Sequence, residues 1–356
     1  PDPDESMLNC RKLLIVAALL FAVPPAMALE PGEPDPLFQD DSVIEIVITA
    51  PMKPLLGKRP DEDYLSGKLA YTEADGSVVE FDIGIRTRGN YRRQPRVCPF
   101  PPLRVNIKKT QAKGTVFHKQ DKLKLVAHCR DNSERYQQNV IKEYLAYRIL
   151  NTLTDVSYRV RLARVTYVDS ERKDDDRVRY AFFIEHKNRL SKRIGLPEIS
   201  TSRISTPDLE GPYSDLTSLF QFMIGNTDFS PIAGAEGEDC CHNSTLFGNE
   251  GESIYSIPYD FDMSGLVDAP YAEPNPNFRI RSVTQRLYRG RCAYIHNLQT
   301  SLQLFQDNRG AIYGLIEKQE QLDESSRKKV TKFVDRFYSV IDNPKKVHRE
   351  IQSQCI

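Results

Sequence analysis

The chain has 356 residues, equal numbers of basic and acidic side chains (49 each) and no tryptophan. A formal net charge of zero argues against nucleic acid and against an anionic membrane surface as partners. The length suffices for a sizeable core, in one large domain or two lobes.

Residues 1–6 read as an upstream scar or extended start, with Met7 as the initiator. Arg11 and Lys12 precede a short apolar run, 13–23, and Ala26-Met27-Ala28 forms a small-x-small cleavage site. The segment 1–28 is therefore expected to be a cleavable secretory signal. Its apolar run is too short for a bilayer core of roughly 30 Å. The mature protein is expected to be exported, periplasmic or extracellular, with no membrane span after signal removal. Cys98, Cys129, Cys240, Cys241, Cys292 and Cys355 then remain, and an even count in an exported chain favours disulfides. One bridge is expected between Cys98 and Cys129, and another between the Cys240-Cys241 pair and Cys292.

Residues 29–42 are rich in Pro, Asp and Glu and read as a flexible leader. The β-branched run 43–49 (VIEIVIT) predicts a strand, followed by strands over 68–71, 78–86, 103–107 and 122–127. Ala74-Asp75-Gly76-Ser77 supplies a hairpin turn. Val140, Tyr144, Tyr147, Ile149 and Leu150 give 134–153 the apolar stripe of a helix. Strands over 160–168 and 180–185 flank a charged hairpin tip (ERKDDDR). A helix over 216–224 leads into a loop-rich stretch, 226–265, with one short strand at 253–257. Amphipathic helices fill 294–353. Sheet, helix, sheet and then helices predict an α+β arrangement of segregated layers. The expected molecule is two-lobed: a sheet-rich N-lobe over 43–200, a hinge near 185–209 and a mainly helical C-lobe over 201–356.

Chemistry-bearing residues concentrate in 224–265, which reads IGNTDFS, an insert, DCCHNSTLFG, a turn and IPYDFDMSG. Carboxylates and amides beside strand ends and glycine turns are hard oxygen ligands suited to Mg²⁺. Phosphoryl transfer needs an aspartate to orient the attacking hydroxyl, amide and carboxylate ligands for the metal, and a cation on the phosphates. Asp228, Asn243, Asp260 and Asp262 fit the first two needs. Each also has a plainer reading: Asp228 as a turn cap, Asn243 as a turn residue or glycosylation sequon.

GNTD, then HN with an apolar run, then PYDFDMSG resembles the catalytic segment of CotH-like spore-coat kinases and, more distantly, of HipA-type kinases. RTRGNYRR (86–93), PPLRVNI (101–107), KLKLVAH, NVIKEYLAYRIL and FFIEHKNRL (182–190) resemble the CotH-like order upstream. The resemblance implies a two-lobed atypical protein-kinase-like fold with an antiparallel sheet in the N-lobe. It implies transfer of phosphate from ATP, with Mg²⁺ or Mn²⁺, to a protein or small-molecule hydroxyl. Carried over, Asp228 is the catalytic aspartate, Asn243 and Asp260 are metal ligands, and Asp262 assists. Glu143 would pair with a phosphate-gripping cation drawn from Arg88, Arg104, Lys122 and Lys124. The chain departs from the kinase pattern in the fifteen-residue offset from Asp228 to Asn243, which leaves Asp239 as an alternative base. It also lacks a glycine-rich phosphate loop of the G-x-G-x-x-G type.

Two other functions fit parts of the sequence. A non-catalytic exported envelope or binding protein would explain the unclear strand lysine, with Asn106 standing near its place. A phosphatase would use the DFD segment, with its first aspartate as nucleophile.

Overall fold

Strand β1 (Ile44–Ala50) buries every second side chain, Ile44, Ile46, Ile48 and Ala50, as the period-2 pattern of its sequence requires. The structure is a computed structural model and describes residues 29–73, 75–234 and 237–356. The secretory signal expected at 1–28 lies outside the described residues.

After β1 come α1 (Met52–Lys58), β2 (Leu65–Thr72), β3 (Val78–Thr87), β4 (Leu103–Ile107), α2 (Lys109–Ala112) and β5 (Lys122–Val126). Helix α3 (Glu134–Leu153) leads to β6 (Val160–Asp169) and β7 (Arg177–Ile184). These seven strands close into a barrel in the order β1-β2-β3-β4-β5-β7-β6. Every pairing is antiparallel but one: β1 lies parallel to β6, with Ile44–Ala50 opposite Ala163–Asp169. Ile83, Ile85, Leu103, Val105, Leu123, Leu125, Val165 and Phe183 fill the interior.

This closed, mixed barrel overturns the expected two-lobed kinase-like α+β fold with an antiparallel sheet in its N-lobe. The expectation failed at one joint. The first strand pairs with two others, and the second is more than a hundred residues away. Local alternation reveals that a segment is a strand and which face is inward, but not whether the sheet closes.

Beyond the barrel lie α4 (Lys187–Ile194), β8 (Glu198–Ile199), α5 (Gly211–Ile224), β9 (Ser244–Phe247) and β10 (Tyr255–Pro258). Then follow α6 (Leu298–Asp307), α7 (Arg309–Lys318), α8 (Glu324–Ile341) and α9 (Pro344–Glu350). Strands β10, β9 and β8 form a small antiparallel sheet. A second core joins Tyr144, Tyr147 and Leu150 of α3 to Phe182 of the barrel, Phe220 of α5 and Phe337 of α8. Helix α3 is sandwiched between barrel and helices. Its Gln137, Gln138, Asn139, Lys142 and Glu143 are therefore buried along with its apolar stripe.

Among the described residues there are three disulfides. Cys98–Cys129 is the expected one. The other expectation is corrected: Cys240 bonds its neighbour Cys241, and Cys292 bonds Cys355. Among the described residues no helix is long and apolar enough to cross a membrane. The disulfides are compatible with an exported chain.

Candidate functional site

A cleft of about 920 Å³ opens between the outer face of β3–β5 and the segment around β9 and β10. Its volume is in the range of small-molecule sites. Acids and amides line one wall, and cations line the other.

The acidic wall is set by the small sheet. β9 and β10 are antiparallel, with Ser244 opposite Pro258, so the residue before β9 and those after β10 emerge side by side. The Tyr259 backbone N–H donates to the Asn243 carbonyl at 3.0 Å. Asn243 and Asp260 therefore meet at one end of the sheet, and both have left-handed backbone (φ 53° and 63°). Such angles are uncommon outside glycine, and asparagine and aspartate tolerate them best. The Asp260 N–H donates to the hydroxyl of Tyr147 on α3 at 2.8 Å, which fixes that turn.

Asp228 reaches the same place from the loop after α5. The Asn243 side-chain amide donates to Asp228 Oδ2 at 3.1 Å and to its carbonyl at 2.7 Å. His242 Nε2 lies 2.9 Å from Asp228 Oδ1, and this bond raises the imidazole pKa. Asp228 and Asn243 are fifteen positions apart in sequence and direct neighbours in space. Asp239, the alternative base, is exposed and does not line the cleft.

Asp262 lies deeper, 5% exposed. Burial and then the negative charge of Asp260 push its carboxyl up to about 7. Arg92 Nη1 stands 3.5 Å from both Asp262 and Glu143. Its Nη2 donates to the Ala127 carbonyl at 2.7 Å. Glu143 is buried behind the cleft, and burial followed by Asp262 raises its pKa well above the carboxylate range. Glu143 thus pairs with Arg92, and with none of the expected Arg88, Arg104, Lys122 and Lys124. Arg92 sits in an arginine-rich run, RTRGNYRR, where a charge carries no sign of burial in the sequence. Its turn is pinned by Arg59, which donates to the carbonyls of Arg93, Cys98 and Pro99, and by the Cys98–Cys129 bond.

On the opposite wall are Arg86, Arg88, Arg104 and Lys124. Arg92 and Arg93 have carboxylate partners. Among the described residues these four have none within ion-pair distance. Burial, and then the like charges of Arg88 and Arg86, lower the Arg104 pKa. Lys124 Nζ sits over the Tyr259 ring, 4.5 Å from its centroid. Lys122 is exposed and lies outside the cleft lining.

No protein-family model matches the chain, and no curated protein matches its sequence.

Among the described residues no trio of His, Cys, Asp or Glu side chains forms an enclosed metal site. The oxygens that could face a metal ion are those of Asp260, Asp262 and the Asn243 amide, whose nitrogen is occupied with Asp228. Mg²⁺ is typically held by one or two carboxylates together with waters and substrate phosphates. The donor set fits such an ion. Burial is the larger cause of the raised Asp262 carboxyl, and the repulsion from Asp260 that adds to it is what a divalent cation between the carboxylates would relieve.

Proposed function

We propose that the protein is an ATP- and Mg²⁺-dependent phosphotransferase acting on a protein or small-molecule hydroxyl. The observation that carries this reading is one cleft holding Asp228, Asn243, Asp260 and Asp262 across from Arg88, Arg104 and Lys124. The CotH-like motifs in the sequence support it, carried here on a closed barrel.

In this reading Asp228 accepts the proton of the attacking hydroxyl, and Asn243 and His242 fix the direction of its two oxygens. Asn243, Asp260 and Asp262 would hold the metal, which when bound supplies bridging and charge neutralisation on the phosphates. The cations hold the phosphate oxygens from the other side. Arg92 keeps Asp262 in place from behind the wall.

The test is calorimetry of the purified protein with Mg·ATP and Mn·ATP, followed by mass spectrometry for transferred phosphate. Binding that Asp260→Ala abolishes is the expected result. No heat with either metal would leave an anion-binding module without turnover, the envelope-protein alternative.

A further inference from the structure

Arg86 lies opposite Arg104, and Arg104 lies opposite Lys124, in register across three neighbouring antiparallel strands. The residues between them along the strands, among them Ile85, Leu103, Val105, Leu123 and Leu125, point into the barrel. The cations therefore share the outer face. Like charges directly opposite each other destabilise a sheet. Among the described residues none of the three has a carboxylate within ion-pair distance, and the Nε atoms of Arg86 and Arg104 are buried without hydrogen-bond partners. A sheet that keeps three positive charges in line, with guanidinium donors unmet, is complementary to a ligand with negative charges in line.

Neighbouring strands are about 4.8 Å apart, so the row extends over roughly 10 Å. A single phosphate reaches one or two of its members, whereas a chain of phosphoryl groups reaches all three. Guanidinium forks suit phosphate oxygens pairwise. We infer that this row is a subsite for a linear oligophosphate chain, bound without a metal ion. The inference deepens the phosphotransfer reading and rests on its placement of the donor phosphates against this wall.

Lys124 is the member whose charge is conditional. It is faced by Arg88 from the turn after β3, Arg104 from β4 and Lys187 and His186 at the start of α4. Asp260 and the Tyr259 ring face it from beyond β10. Burial first, and then Arg88, push its amine down to about 7 against the pull of Asp260. A polyanion reverses the local field and favours the ammonium form. The step is protonation of the neutral amine by a proton from solvent, and no covalent bond to the phosphate forms.

The experiment is calorimetry with inorganic tripolyphosphate in the presence of EDTA, at pH 8, in buffers of different ionisation enthalpy. Wild-type protein should take up close to one proton more per bound chain than Lys124→Arg, which is charged throughout. Lys124→Met and Arg104→Gln should each weaken binding about tenfold or more. Circular dichroism establishes that each variant is folded. Equal proton uptake in wild type and Lys124→Arg overturns the protonation step. Undiminished binding in folded Lys124→Met and Arg104→Gln, or orthophosphate binding as tightly as tripolyphosphate, overturns the subsite. Tripolyphosphate binding without Mg·ATP turnover keeps the subsite and removes the phosphotransfer reading; turnover without tripolyphosphate binding does the reverse.

Discussion

The side-chain amide of Asn243 donates to Asp228 Oδ2 at 3.1 Å, and His242 holds the other carboxylate oxygen at 2.9 Å. Asp228 is thus oriented by two neighbours while a third of its side chain remains exposed to the cleft. In the phosphotransfer reading its replacement removes the proton acceptor and leaves the surrounding frame. Asp228→Asn should lower the rate of phosphate transfer roughly 10²- to 10⁴-fold. Its melting temperature should stay near that of the wild type, because a part-exposed substitution of similar shape shifts stability by about 0.5 kcal/mol. Steady-state kinetics with a parallel melting curve separate the two effects. Unchanged turnover would remove Asp228 from the chemistry.

Arg92 is the opposite case, a structural strut behind the acidic wall. It is 8% exposed and stands between two buried carboxylates. Removing one partner of a buried ionic cluster leaves uncompensated charge and typically costs about 3–5 kcal/mol. Arg92→Met should lose stability on that scale in urea denaturation, and Mg·ATP binding should weaken with it. A loss below about 1 kcal/mol would mean that Glu143 and Asp262 do not depend on the guanidinium.

The Cys98–Cys129 bond closes a loop with a sequence separation of 31. It joins the turn that carries Arg92 to the end of β5, where Arg92 meets the Ala127 carbonyl. On chain-entropy grounds a loop of this size is worth about 3–4 kcal/mol. The double variant Cys98→Ser/Cys129→Ser should show that loss by calorimetry, together with weaker nucleotide binding. Full stability with weakened binding would instead assign the bond a purely local role at the cleft.

The cation row leaves a pH signature on stability. The folded-state pKa of Lys124, about 7, lies below the ordinary lysine value of 10.5. Between those values the unfolded chain binds more protons than the folded one, so stability rises with pH across this window. In the absence of anion, the urea midpoint of the wild type should climb from pH 7 to pH 9 more steeply than that of Lys124→Met. The difference has a ceiling of about 1.4 kcal/mol per pH unit. Arg104→Gln should raise stability at pH 7 by about 0.2–1 kcal/mol through relief of cross-strand repulsion. Parallel pH curves for wild type and Lys124→Met would show that the amine is not perturbed.

Much of this arrangement was legible in the chain. The strands over 78–86, 103–107 and 122–127 and the helix over 134–153 follow from local alternation and periodicity, and the structure places them within a few residues. Asp228, Asn243, Asp260 and Asp262 were legible because carboxylates and amides beside strand ends and Gly turns are a local pattern. Three features were not. The parallel pairing of β1 with β6 joins segments far apart in sequence, and nothing in either strand specifies its partner. Arg92 reads like its neighbours Arg88 and Arg93 until burial separates them. The cation row depends on registers that bring positions 86, 104 and 124 together, and registers are set by turns and core fit across the whole sheet.

The closure of the barrel also limits how other polypeptides can meet this protein. An open sheet presents a row of free amides and carbonyls on which an extended peptide can pair. Here each of the seven barrel strands already has a neighbour on both sides. In the phosphotransfer reading a protein acceptor therefore has no barrel edge on which to lie as an added strand, which leaves side-chain contacts at the cleft mouth and the short edges of the β10-β9-β8 sheet. The same closure denies misfolded chains a template for edge-to-edge growth.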